Sequence, residues 1–317
     1  MQDNLKLVVL IPCYNEAETI ADVIHEFKTI LPTAKIYVYD NSSTDQTVII
    51  AKQHGAIVRT EKNKGKGNVI RRMFSDINAD IYVLVDGDHT YDAKKAPELI
   101  QALIENHLDM VVGARVEIQT DYSSNAVYRF GHRIGNALFS MLIGKLFGKN
   151  FKDVFSGYRV FSKRFVKSFP AMTRGFDIET ELTIHSLELN IPGAEIETYY
   201  RARPQGSTSK LNSVGDGMRI LVRIVALLKE TRPLLFFGGL FIALVSISVF
   251  LFLPVLMDYW HTGLVKRFPT AILSTGIMLL AFMSLGCGII LDNVCRARKE
   301  MKRFFYLSLS QQDTRCD

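Results

Sequence analysis

The chain has 317 residues, 48% of them hydrophobic and 22% charged, with a formal net charge of +6 and a pI near 9.0. This length holds one α/β domain of ordinary size with material to spare, and the apolar fraction is that of a globular protein rather than a disordered one. Cys13, Cys287, Cys295 and Cys316 show no CxxC spacing and no pairing pattern, which speaks against a disulfide-stapled scaffold and for a reducing compartment.

The mean hydropathy of +0.12 is high for such a chain, and its source is the C-terminal third. Leu5 to Ile11 reads as a first strand, and Ile20, Val23, Ile24, Phe27 and Ile30 have the spacing of a helix over Glu16 to Ile30. The run from Leu7 to Ile11 is too short for a signal-peptide core, so the residues ahead of the C-terminal third are expected in the cytoplasm. A second strand covers Lys35 to Asp40. Asn41-Ser42-Ser43-Thr44-Asp45 then offers capping side chains for a helix to His54, stopped by Gly55 and followed by a strand over Ala56 to Arg59. The glycine-rich loop Lys62 to Gly67 opens a helix to Ile77. Next come the strand from Ile81 to Val85, a helix over Ala96 to Asn106 and a strand over Met110 to Ala114. Strands alternating with helices at this pitch predict an α/β fold with a mostly parallel sheet and helices on both faces.

From Arg115 to Asn150 the pattern is helical and basic, fitting either an amphipathic stretch on a membrane surface or a surface helix packed on the sheet. A second basic amphipathic helix, residues 212–232, leads into two uncharged segments, 234–257 and 270–291. Each is long enough to cross a hydrocarbon core of roughly 30 Å, so the region 233–292 is expected to be a transmembrane hairpin. Arg219, Arg223, Lys229 and Arg232 precede it. Arg296, Arg298, Lys299, Lys302 and Arg303 follow it, in a basic tail over 293–317. That bias predicts a multi-pass protein of the cell membrane with both termini and the 1–211 domain cytoplasmic. Gly276, Ser284, Gly286 and Gly288 leave room for close helix packing, including with a second copy.

Asp86-Gly87-Asp88 carries the chemistry. An apolar strand that ends in two carboxylates delivers them to the open sheet edge where α/β folds gather ligands. Two hard oxygen ligands there suit Mg²⁺ or Mn²⁺ on a diphosphate. Alone, the tripeptide reads better as a solvated turn, and its context has to decide. Pro12-Cys13-Tyr14-Asn15-Glu16 and the Asp40 to Asp45 segment end two other strands on the same edge. Three polar strand ends together are far more specific than one. The histidines His25, His54, His107 and His185 lack ligand spacing and read as structural, while His89 adjoins the carboxylate turn.

In this order, these segments resemble the GT-A fold of inverting nucleotide-sugar glycosyltransferases. Asn63 to Asn68, Gly113-Ala114-Arg115, Ser156-Gly157-Tyr158-Arg159, Gly175 to Glu181 and Arg203 to Leu211 are similar to motifs of the polyprenyl-phosphate sugar synthases, the dolichol-phosphate mannose synthase group. The resemblance runs from Val8 to Lys210. It implies donor nucleotide binding by Pro12, Tyr14, Glu16, Asp40, Ser42, Lys66, Gly67 and Asp86, and metal binding by Asp86 and Asp88. It further implies catalytic roles for Asp88, Arg115, Arg203 and Lys210. Thr90 stands where some members place a metal-binding Gln, which leaves a third protein ligand open.

Chemistry supports the same roles. A nucleotide diphosphate leaves readily only when its growing charge is neutralised, by a divalent ion and by Arg203 and Lys210. A polyprenyl phosphate acceptor, undecaprenyl or dolichyl, is already an oxyanion near neutral pH and needs positioning cations, for which Arg115, Arg129 and Arg133 are candidates. Asp153 and Glu179 are candidates to orient the donor sugar or a cation, with capping or an ion pair as the plain alternative. Glu179 and Glu181 cannot share a helix face. A processive polysaccharide synthase is disfavoured because the one tryptophan, Trp260, lies between the apolar segments. The alternatives are a glycosyltransferase with another lipid or glycan acceptor and a non-catalytic membrane-anchored nucleotide-binding scaffold. No nucleic-acid partner is expected, because the basic residues cluster beside apolar segments.

Overall fold

The computed structural model of the chain describes residues 5–117, 144, 151–172, 178–201, 225–226 and 228–309. It divides into two compact units, Met1–Leu211 with Lys302–Asp317, and Asn212–Met301.

The first unit is built on a seven-stranded sheet in the order β3-β2-β1-β4-β6-β5-β7. β1 (Leu7–Cys13) lies centrally and is buried on both faces, so its sequence is an unbroken apolar run rather than an alternating one. It pairs in parallel with β2 (Lys35–Asp40) and β4 (Ile81–Leu84), and β2 pairs in parallel with β3 (Ile57–Thr60). The connections are α1 (Ile20–Ile30), α2 (Thr47–Gln53) and α3 (Lys66–Asp76). α1 buries Ile20, Val23, Ile24 and Phe27, one stripe at helical spacing. Each such burial is worth roughly 1.5–3 kcal/mol by transfer, which fixes the helix on the sheet. α4 (Ala96–Glu105) repeats the pattern with Ala96, Leu99, Ile100 and Leu103, and Pro97 stands in its first turn, where its missing N–H costs nothing.

The sheet changes character beyond β4. β5 (Met110–Glu117) is reached through α4, but β6 (Arg159–Ser162) inserts between β4 and β5 and runs antiparallel to both. β7 (Gly193–Tyr200) then pairs in parallel with β5 along its length. α5 (Lys163–Ser168) and α6 (Ile178–Glu188) connect them. The expected mostly parallel α/β architecture is present. β6, α5, α6 and β7 were not among the predicted elements, and β5 runs three residues past Ala114. The strand-helix alternation does not announce a returning strand only four residues long.

In the second unit, α7 (Pro233–Thr262) and α8 (Phe268–Ser308) are both long and apolar enough to cross a membrane. Thirty and 41 residues make helices of about 45 and about 60 Å. Gly263, at φ +67°, closes α7 in the left-handed conformation that a helix stop requires. The two helices pack directly: Ser248 Oγ donates to Ser274 O at 2.8 Å and Ser284 Oγ to Phe237 O at 3.1 Å. A Cβ on Gly288 would lie 2.9 Å from Phe237 Cβ. Ser284 and Gly288 therefore serve the contact within the chain, whereas Gly276 and Gly286 face open space. α8 does not stop at 291. From Lys302 onward it belongs to the first unit, where Lys302 pairs with Glu188 at 3.2 Å and Tyr306 Oη donates to the fully buried Asp109 at 2.5 Å. The basic segments over 118–150 and 212–224 fall almost entirely outside the described residues.

Candidate active site

The polar ends of β1, β2 and β4 meet at one edge of the sheet. Asn41 N–H donates to Cys13 O at 2.8 Å and Val85 N–H to Leu10 O at 3.0 Å, which keeps the three ends in register as they leave the sheet. Asp40 is buried and accepts from Ser43 N–H through both oxygens at 3.2 Å. Asn15 and Ser42 hold φ +54° and +63°, left-handed positions that fold their loops tightly over the edge. Asn15 joins the loops: its N–H donates to Ser43 Oγ at 2.9 Å and its Oδ1 accepts from Thr44 N–H at 2.8 Å. Glu16 N–H donates to Thr47 Oγ1 at 2.9 Å. Asn41 organises the third loop by donating to Glu61 O and Asn63 O and accepting from Gly65 N–H. Pro12 sits in the β1 ladder opposite Tyr39, Gly67 is buried in the first turn of α3, and Lys64 Nζ stands 5.7 Å over the Tyr14 ring. The sequence reads Asn41 as one of the capping side chains for α2; the structure instead uses its amide on the Glu61 to Gly65 loop.

Gly87 is pinned between the carboxylates. Its carbonyl accepts from Thr19 Oγ1 at 2.6 Å, and a Cβ there would meet Cys13 Sγ at 2.7 Å, so only glycine fits under this turn. Asp88 is 4% exposed and its Oδ1 accepts from Thr90 Oγ1 at 2.6 Å. The side chain at the Gln position thus orients the carboxylate by donating to it.

Asp86 Oδ1 lies 2.5 Å from Lys66 Nζ, and the same ammonium pairs with Glu179 Oε1. Burial would pull the Lys66 pKa down, but the two carboxylates outweigh it and raise the pKa, so Lys66 stays charged. Gly157 packs so closely on Asp86 that a Cβ would overlap the carboxylate, and its N–H donates to Tyr91 Oη at 2.8 Å. Glu181 turns away and accepts from Met172 N–H at 2.9 Å. Beneath the site the fully buried Arg159 donates to Ser156 O, Val154 O and Thr183 Oγ1. Desolvation pulls its pKa down to about 10, although carboxylates around it, Glu179 and Asp153 first, work the other way.

Arg115 grips Asp153 with two nitrogens, Nε to Oδ2 at 2.7 Å and Nη2 to Oδ1 at 2.8 Å, and stacks over Tyr200 at 5.4 Å. Burial opposes both charges, yet the pair wins: the Arg115 pKa rises and that of Asp153 falls. Asp153 is thereby committed to Arg115. Arg129, Arg133, Arg203 and Lys210 lie outside the described residues.

The edge is strongly acidic. The Cys13 thiol is pushed well above its ordinary range, first by burial and then by Glu16, Asp40, Asp86 and Asp88. Among the described residues no group of three His, Cys, Asp or Glu forms a closed metal site. The Asp86 and Asp88 carboxylates on one turn, hard oxygen donors, still fit Mg²⁺ or Mn²⁺, ions that bind through one or two carboxylates and complete their shell with substrate phosphates. His25 and His54 are surface residues, and His185 is buried between Phe165 and Phe169.

The family model described as Glycosyl transferase family 2 matches residues 8–169. Glycosyltransferase AglJ of Haloferax volcanii is 32% identical over 297 residues, 93% of this chain and 96% of its own length. Dolichyl-phosphate hexose transferase of the same organism is 26% identical over 226 residues, 71% of this chain and 95% of its own. The crystal structure of Mycobacterium tuberculosis glucosyl-3-phosphoglycerate synthase with Mn²⁺ and uridine-diphosphate-glucose shares the fold. Its TM-score is 0.57 at 21% identity, covering 72% of this chain and 79% of that one. The expected GT-A architecture is therefore present.

Proposed function

The chain belongs to glycosyl transferase family 2, and we propose that it moves one sugar from a nucleotide-diphosphate sugar to a polyprenyl phosphate, with inversion at the anomeric carbon. The observation that carries this reading is one chain holding both a strand-end carboxylate pair and two helices apolar enough to keep it where lipid acceptors are. The name of one relative, a dolichyl-phosphate hexose transferase, supports such an acceptor, and the glucosyl-3-phosphoglycerate synthase structure pairs its donor with Mn²⁺.

In this reading Pro12, Tyr14, Glu16, Asp40 and Ser42 hold the nucleoside, and Lys66, Gly67 and Asp86 border the diphosphate. Asp86 and Asp88 hold Mg²⁺ or Mn²⁺, which when bound supplies positive charge against the departing diphosphate. Lys66 adds a permanent charge at the same place. Arg203 and Lys210 stabilise the leaving group, while Arg115, Arg129 and Arg133 orient the acceptor phosphate, which attacks without a general base. Glu179 borders the donor sugar, and Asp153 acts by fixing Arg115. α7 and α8 cross the cell membrane, with residues 1–211, the juxtamembrane segment 212–232 and the 293–317 tail on its cytoplasmic side.

The test uses full-length protein in detergent with Mn²⁺, undecaprenyl phosphate and a panel of UDP-, GDP- and dTDP-sugars. One donor is expected to be consumed only when the lipid is present. Asp88→Ala should lower that rate at least about a thousandfold without changing the unfolding temperature. Nucleotide binding without lipid-dependent consumption would leave the scaffold reading in its place, and consumption with a different lipid or glycan would move the acceptor assignment.

A further inference from the structure

His89 directly follows Asp88 and holds φ +57°, the left-handed conformation that histidine adopts more readily than most residues and that bends the chain sharply after the carboxylate. Two elements converge on it. From α1, Glu26 Oε1 lies 3.1 Å from His89 Nε2. From the end of β7, Arg201 Nη1 lies 3.2 Å from the same nitrogen and 3.0 Å from Glu26 Oε1. Arg201 also reaches forward, its Nη2 standing 3.6 Å from Asp92 Oδ1. The backbone repeats the connection: Arg201 N–H donates to Thr90 O at 2.8 Å, and Tyr200 bridges to Tyr91. Thr90 is the residue whose hydroxyl orients Asp88.

An ion pair this accessible contributes little to stability by itself: the Arg201 and Glu26 side chains are 37% and 30% exposed. Its placement is what matters. We propose that Arg201 and Glu26 are positioning residues that clamp His89, and through it fix the direction of the Asp88 carboxylate. Neither residue belongs to the three strand-end motifs; they act through the backbone of residues 87–90. The proposal rests on reading Asp86 and Asp88 as the cation-binding turn, and its test separates the two.

The experiment follows backbone amide exchange of the 87–92 segment in full-length, metal-free protein, together with Mn²⁺ binding by electron paramagnetic resonance in the presence of UDP. Arg201→Gln is expected to speed exchange in this segment and weaken Mn²⁺ binding, each by about tenfold, with an unchanged unfolding temperature. Arg201→Lys, which keeps a cation against Glu26, should recover part of both. Glu26→Gln cuts the same contact from α1 without altering β7 and should give the same exchange pattern. Exchange in Arg201→Gln and Glu26→Gln indistinguishable from wild type overturns the clamp. Wild-type protein that binds no Mn²⁺ overturns the cation-turn reading instead, and the exchange measurement still judges the clamp.

Discussion

The two halves of the sheet handle buried polar groups in opposite ways. From β1 to β4 the interior is apolar, and the buried polar side chains, Asp40, Asn41, Asp88 and Thr90 among them, lie at the strand ends where the site is. From β5 to β7 they run under the sheet itself: Asp109, Asp153, Arg159, Glu179, Thr183 and His185 are all buried. The first half presents charge, and the second half answers it. Asp86 meets the Gly157 backbone and shares Lys66 with Glu179, so the carboxylates of one half are framed by the other.

Lys66→Met breaks the bridge between the halves and should have the largest effect. Removing one partner of a buried charge set leaves the others desolvated and unpaired, at a cost of about 3–5 kcal/mol. Glu179, 7% exposed at its side chain, bears most of that, while Asp86 at 25% recovers some hydration. The expected readout is a clear fall in unfolding midpoint and loss of turnover. Lys66→Met with Glu179→Gln should regain much of the midpoint but none of the turnover, since the two sites couple through one contact. If Lys66→Met unfolds at the wild-type midpoint, the two halves are independent at this point.

The same contrast governs what the sequence reveals. β1, α1, β2 and β4 declare themselves through unbroken or periodic apolar runs that end in polar motifs, so the positions of Asp40, Asp86 and Asp88 follow from local pattern alone. α6 does not: Glu179, Thr183, His185 and Ser186 are buried alongside Ile178, Leu182 and Leu187, so no apolar stripe marks its inner face. β6 is four residues long and begins with a buried arginine. Its place between β4 and β5 depends on pairings such as Leu84 with Arg159 and Val112 with Arg159, tens of residues apart in the chain, which periodicity cannot encode. The pairings of Lys66 with Glu179 and of Arg115 with Asp153 are likewise invisible in the sequence, although each residue stands out by itself, because partners are chosen by topology.

Gly157→Ala tests the frame with less disruption to folding. The backbone at 157 is held by its bond to Tyr91, so an added Cβ displaces the Asp86 carboxylate instead of the chain. A displacement on the order of 1 Å at a reacting centre costs about a hundredfold in rate. The variant is therefore expected to fold, bind nucleotide more weakly and lose about that factor in kcat/KM. An unchanged kcat/KM would mean that Asp86 can shift without consequence.

His185→Phe probes the polar interior of the second half by pH. His185 is 2% exposed, edge-on to Phe165 and Phe169, with Nε2 3.4 Å from Ser168 Oγ. Desolvation, helped by the Lys302 charge, pulls its pKa down to about 3 from 6.5. Above the unfolded value the ring is neutral in both states and pH has no leverage through it. Below that value the unfolded chain takes a proton that the folded chain refuses until about pH 3, so stability falls with pH by up to about 1.4 kcal/mol per unit. Phenylalanine keeps the ring contacts and removes the proton site. Unfolding measured in denaturant across this window should show wild type losing up to about 2 kcal/mol more than the variant at pH 5. Parallel slopes for the two proteins would show that the ring is protonated within the fold and that the interior of this half is wetter than its packing implies.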